Sequence, residues 1–179
     1  MDDTELTRRA ANVRLLLSDV DGVMTDGSLA FDASGVEAKT FNVRDGLGVK
    51  LWMRGGGPFG IVTGRCSSIV ASRAEELGLP IVHQGVHDKL PIVERIAADQ
   101  GVSLAEVAYI GDDLPDLPVV KAVGFGVAVN DACVEMLAEA DFVTRLPGGR
   151  GAVREVVETL LRHSGRWEAA LAGRPSKQP

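Results

Sequence analysis

The chain has 179 residues, 45% hydrophobic and 25% charged, which suits one domain with a sizeable core and excludes a disordered chain. Its net charge of −6 leaves no basic footprint for nucleic acid, and no apolar run reaches the ~20 residues that a membrane helix needs. The opening MDDTELTRRAANVR lacks a basic start followed by an apolar stretch, so no signal peptide is expected. Cys66 and Cys133 stand far apart without metal-ligand spacing and read as buried thiols of a reduced cytoplasm.

A short amphipathic helix is expected over 5–13, followed by a buried strand in RLLLSDV that stops at Gly22. SLAFDASGVEAKTFN carries two extended runs around Asp32-Ala33-Ser34-Gly35, residue types that suit a hairpin turn. RDGLGVKLWMRGGG reads as a helix stopped by glycines, and PFGIVTGR as the second core strand. SSIVASRAEELGL is a helix with Ser67 or Ser68 as cap, PIVHQ a strand, and DKLPIVERIAADQG a helix. VSLAEVAYIGDD holds a turn and a strand. LPDLPVVKAVG is a helix with early prolines, and FGVAV a strand. DACVEMLAEA is a helix, DFVTR a last short strand and GAVREVVETLLRH the final helix. Residues 1–164 form the expected domain and 165–179 a flexible tail. Apolar strands alternating with helices predict an α/β, Rossmann-like parallel sheet with helices on both faces, a projecting β-hairpin and no cap domain.

Ligands of such sheets bind beyond the carboxyl ends of the strands. There the sequence places Asp19 and Asp21, then Thr63-Gly64-Arg65, then Asp112 and Asp113 with Asp116 one turn later. Lys89 opens the helix after the third core strand. Each piece alone is an ordinary turn or helix residue; their joint occurrence at strand ends is what points to catalysis. Carboxylates sharing a site favour a hard cation such as Mg²⁺. A carboxylate can also attack a phosphate monoester, provided that a metal and an ammonium offset the repulsion between the anions. The 42 positions from Asp21 to Thr63 and the 26 from Thr63 to Lys89 leave no room for a substantial cap, so a neighbouring subunit is the expected lid.

DVDG, VTGR, Lys89 and GDDLPD resemble, in order, the four motifs of the haloacid dehalogenase superfamily of phosphohydrolases. The resemblance implies that Asp19 is the nucleophile and becomes an aspartyl phosphate. It makes Asp21 the general acid/base, whose carbonyl also binds Mg²⁺, and Asp112 the third metal ligand. Thr63 and Lys89 would hold the phosphoryl oxygens. Asp113 and Asp116 would support metal waters or Lys89, with Asp26 behind them.

Two further stretches bear on the substrate. In KTFNVRDGLGVK, Arg44 beside glycine could grip a carboxylate, or the stretch is a loop ending in a helix cap. In RLPGGRGAVREV, the glycines could bring backbone to an anion or fold over a mouth, or simply lead into a helix. Together with the cap-free length, FNVRDG and GGRGAVREV are similar to the 3-deoxy-D-manno-octulosonate 8-phosphate phosphatases, over about residues 13–163. That likeness implies a cytoplasmic homotetramer, joined through its hairpins, in lipopolysaccharide sugar biosynthesis, whose C-terminal segment can reach a neighbour's site. It implies a substrate mouth of Asn42, Val43, Arg44, Asp45, Gly46 and Gly64, with Arg65, Arg73 and Lys89 on the anionic ends. Lys50 stands where those enzymes are expected to carry arginine. QGVHDK also resembles phosphatases of nine-carbon sugar acid 9-phosphates, of the sialic or deaminoneuraminic type. A phosphoacceptor signalling domain is the alternative of another class, although its phosphoacceptor is expected on a middle strand rather than the first.

Overall fold

The computed structural model describes residues 2–173. Helix α1 (Asp3–Asn12) is capped by Asp2, whose carboxylate accepts the Glu5 amide at 2.8 Å. Six strands follow in one sheet: β1 (Leu15–Ser18), β4 (Phe59–Val62), β5 (Ile81–His83), β6 (Val107–Gly111), β7 (Phe125–Ala128) and β8 (Phe142–Val143). Their order is β5-β4-β1-β6-β7-β8 and every pairing is parallel. β1, β4, β6 and β7 are buried at every residue. That is the burial which near-continuous apolar runs such as Leu15-Leu16-Leu17 anticipate in a sheet covered on both faces.

The helices divide into two packed groups. One contains α1, α2 (Val43–Gly55), α7 (Ala152–His163) and α8 (Trp167–Leu171). The other contains α4 (Lys89–Asp99), α5 (Leu117–Ala122) and α6 (Val134–Glu139), while α3 (Ser68–Leu77) lies against α2. From β1 the chain builds outward through β4 to β5. It then crosses back to β6 and builds outward the other way. The direction therefore reverses between β1 and β6, the place where open α/β sheets bind ligands.

β2 (Ala30–Phe31) and β3 (Glu37–Ala38) form the separate antiparallel hairpin. Its turn is set by Asp32, whose Oδ1 accepts the Ser34 and Val36 amides at 2.9 and 2.8 Å. The hairpin leaves Phe31 56% and Val36 61% exposed. Only this hairpin, α2 and the core strand β4 occupy the interval from Asp21 to Thr63, so no cap domain is inserted there.

Two expectations change. The segment expected to be a tail from residue 165 is folded as far as α8; its remainder, 174–179, lies outside the described residues. Arg166 is the physical reason. Its guanidinium donates to the carbonyls of Gly56 (3.0 Å), Val13 (3.1 Å) and Ala10 (3.4 Å), closing the ends of α1 and α2, and lies over the Trp52 ring. The cysteines are free, but Cys66 is exposed on the loop after β4 and Cys133 is half-buried at the start of α6. No helix among the described residues is long and apolar enough to cross a membrane.

Replacing Arg166 by alanine leaves three carbonyls without this donor and should cost on the order of 2–3 kcal/mol. Thermal melts should then show Tm lower by roughly 5–10 °C in a chain of this size, whereas an unchanged Tm would show that the end of the chain is not anchored.

Candidate active site

The site grows from the end of β1. The Asp19 amide donates to the Ile110 carbonyl at 2.9 Å, which extends the β1–β6 ladder by one residue and aims the side chain past the sheet. Its Oδ1 accepts the Val20 amide at 2.6 Å, and its Oδ2 lies 2.8 Å from the Lys89 ammonium. Lys89 is the first residue of α4 and is almost wholly buried. Its Nζ also donates to Asp116 Oδ1 at 2.6 Å. Asp116 is fully engaged: Tyr109 donates its hydroxyl to Oδ1 at 2.7 Å, and the Asp112 amide donates to Oδ2 at 3.1 Å.

Two carboxylates, of Asp19 and Asp116, thus share one buried ammonium, and a third, of Asp112, lies beside them without contacting it. Burial pulls the Lys89 ammonium down, but Asp116 and Asp19 outweigh it and hold the group above its ordinary value, so it stays charged. Burial, reinforced by the negative charge of Asp116, pushes Asp19 up against the opposing pull of Lys89. Asp112 is pushed up to about 8, first by burial and then by Asp116 and Asp19. Its carboxylate accepts no hydrogen bond among the described residues.

That deficit fits a hard divalent cation. Oxygens of Asp19, Asp112 and Asp116 lie within 4.8 Å of one another. Because Asp116 is committed to Lys89, Tyr109 and an amide, the available donors are Asp19 and Asp112. The Asp21 carbonyl, the expected backbone ligand, belongs to the turn that follows β1. The turn presses close: a Cβ on Gly22, which holds φ +89°, would lie 2.0 Å from Asp112 Oδ2.

Asp19, Asp21, Thr63, Lys89, Asp112 and Asp116 line one cleft of about 280 Å³, joined by Gly64, Arg65 and the exposed Asp113. Thr63 is seated by its backbone, which donates to the His83 carbonyl at 2.9 Å and accepts the Val86 amide at 3.0 Å. The rest of the expected substrate mouth lies elsewhere. Val43, Gly46, Lys50 and Arg73 face a separate groove of about 230 Å³ between α2 and α3. Arg44 faces another, of about 500 Å³, beside α7. Asn42 caps α2, accepting the Arg44 amide at 2.9 Å.

Asp45 is buried and corrects its expected place in the mouth. It accepts the Gly151 and Arg154 amides at 3.1 and 2.9 Å, so its carboxylate caps α7. The glycine loop before α7 is a helix entry, not an anion cradle. Gly148 donates its amide to Asp131 and Gly149 to the Val23 carbonyl, which lays this backbone flat on the catalytic turn. A Cβ on Gly148 would lie 1.8 Å from the Gly22 oxygen. Asp26 accepts the Ser28 amide and lies 3.8 Å from Arg150, behind the cleft.

Two groups in the site carry fainter sequence signals. Tyr109 is the one tyrosine of the chain, set in an aliphatic strand, and a buried hydroxyl needs a partner. Lys39 lies on the hairpin yet its ammonium contacts the Asp21 carboxylate. Alternation marks it, because Glu37, Lys39 and Phe41 turn inward while Val36, Ala38 and Thr40 are exposed.

The sequence profile of the haloacid dehalogenase-like hydrolases matches residues 59–154. The chain is 45% identical to the 3-deoxy-D-manno-octulosonate 8-phosphate phosphatase KdsC of Yersinia pestis, over 93% of this chain and 89% of that protein. It resembles a solved hydrolase of the same superfamily, subfamily III A, from Legionella pneumophila, with TM-score 0.93, 42% identity and coverage of 95% and 93% of the two chains. It also resembles the 3-deoxy-D-manno-octulosonate 8-phosphate phosphatase of Moraxella catarrhalis, solved with magnesium, phosphate and KDO. Here the TM-score is 0.91, with 40% identity over 94% and 97% of the chains.

A carboxylate raised from 3.8 to about 8 weakens the fold as pH climbs between those values, because ionisation is resisted only in the folded state. A bound cation reverses that penalty and competes with the proton. Millimolar Mg²⁺ should therefore raise Tm more at pH 8.5 than at pH 6, and Asp112→Asn should abolish the difference. Equal Tm shifts at both pH values would rule out Asp112 as the pH-dependent ligand.

Proposed function

The chain belongs to the haloacid dehalogenase-like hydrolases and, within them, to the family of 3-deoxy-D-manno-octulosonate 8-phosphate phosphatases, and on that premise we propose that it releases phosphate from 3-deoxy-D-manno-octulosonate 8-phosphate in lipopolysaccharide sugar biosynthesis. The observation that carries this reading is the convergence of Asp19, Asp112 and Lys89 on one cleft at the sheet's reversal point. A signalling domain of the phosphoacceptor type is set aside by membership of a hydrolase family.

In this reading Asp19, held with Oδ2 toward Lys89, attacks phosphorus while the bond to the sugar oxygen breaks. Asp21 gives the departing oxygen a proton. It then takes a proton from the water that splits the aspartyl phosphate. Lys89 and Thr63 hold the phosphoryl oxygens, and Asp116 keeps the Lys89 ammonium at its station. Asp19, Asp112 and the Asp21 carbonyl would hold Mg²⁺, which would supply positive charge to offset that of the phosphoryl group. In this reading Arg65, partly exposed at the mouth beside Glu37, serves the anionic ends of the substrate.

The reading includes a homotetramer. Its support is the exposed apolar hairpin and the outward position of Val43 (82% exposed) and Lys50, where a neighbouring copy's cleft can use them; Arg73 lies deeper in the same groove, over the Phe41 ring. Two free cysteines accord with a cytoplasmic location.

With Mg²⁺, kcat/KM for the octulosonate 8-phosphate should exceed that for nine-carbon sugar acid 9-phosphates by at least about tenfold; an equal or reversed preference overturns the substrate. Asp19→Asn should cost roughly 10³-fold or more in turnover while the melting curve stays intact. Light scattering should give about four times the chain mass of 18.9 kDa, and a monomer would refute the assembly.

A further inference from the structure

The hairpin is mostly exposed, yet the Lys39 side chain just past β3 is 1% exposed. Its ammonium donates to Asp21 Oδ1 and lies 3.4 Å from Glu37 Oε1. Glu37 is itself fixed: Oε1 accepts from Arg65 at 2.7 Å and Oε2 from the Ser67 hydroxyl at 2.7 Å. Arg65 Nε stands 3.6 Å from Asp21 Oδ2, beyond hydrogen-bond reach. Two carboxylates thus face two cations, and the cluster is neutral without any added ion.

Two features separate this arrangement from a simple tether. Glu37 already ties the hairpin to the body through Arg65 and Ser67, so attachment does not require Lys39. Among the described residues, Lys39 is also the one group that hydrogen-bonds the Asp21 carboxylate. A carboxylate transferring a proton must sit within ~2.6–3.2 Å of the oxygen it serves, and Asp21 has two free side-chain torsions. We propose that Lys39 is a positioning residue for Asp21: it holds Oδ1 and so presents Oδ2 to the cleft. The proposal rests on the reading of Asp21 as proton donor and acceptor.

The test uses the full chain with Mg²⁺ and p-nitrophenyl phosphate. Nitrophenolate leaves without a proton, so the first step survives a misplaced Asp21 while the water step slows. Lys39→Met should lower kcat and KM together, about 10- to 100-fold, leave kcat/KM within about threefold, and show a burst of one nitrophenolate per chain. Asp21→Asn should show the same burst. The double variant should be no slower than Asp21→Asn alone, because both act through one carboxylate.

Multiplied losses in the double variant, or wild-type kcat in Lys39→Met beside an impaired Asp21→Asn, would overturn the proposal. Wild-type turnover in Asp21→Asn would overturn the reading beneath it instead. If Lys39→Met melts early, Lys39→Arg decides. Turnover within about fivefold of wild type and no burst supports positioning by a cation, and a slow, burst-forming Lys39→Arg refutes it.

Discussion

One buried ammonium organises this molecule. Lys89 lies between Asp19 and Asp116 at 2.8 and 2.6 Å, and it is the cation that keeps three converging carboxylates compatible with burial. Leaving even one charge buried and unpaired costs several kcal/mol, more than any cap or turn in the fold supplies. The sheet respects that constraint. Asp19 ends β1 and Asp112 follows β6 on the two sides of the reversal, and α4 starts where its first side chain can reach between them. Gly111 leaves room for Asp116, which Tyr109 steadies from within the sheet.

The residual charge is unevenly shared, and that divides the labour of the cleft. Around Lys89 the carboxylates outnumber the cation, so Asp112 remains short of a partner and the inner half calls for a metal. Around Asp21 the balance is even: Lys39 and Arg65 answer Asp21 and Glu37. The first cluster binds, because its electrostatic demand is unmet. The second orients, because its demand is met and its geometry is therefore set before any ligand arrives.

Much of this was legible in the sequence for identifiable reasons. The strands announce themselves by apolar runs, the hairpin by Asp32 and Gly35, and the cleft by carboxylates at successive strand ends. Asp45 was not legible as a cap, since its partners, the amides of Gly151 and Arg154, are more than a hundred residues away in sequence. Arg166 sits in a polar stretch, and nothing local reveals the carbonyls it reaches. Asn42–Gly46, Lys50 and Arg73 are read from the sequence as one mouth, yet in a single chain they are distributed over two grooves and a helix cap. Local pattern dictates elements and their ends; pairings across long separations depend on the packed molecule.

The flat stacking of Gly148 and Gly149 on the turn after β1 carries a consequence for synthesis. All four motifs, from Asp19 to Asp116, lie upstream of that loop, so a ribosome exposes every reacting group before it exposes the surface that shapes them. The turn bearing Asp21 and Gly22 gains its floor only once residues 147–151 have emerged, and α7 and α8 must follow to anchor them. Asp19 is thus the first of the reacting groups to be synthesised, while the backbone that packs against the turn beyond it is made more than a hundred residues later.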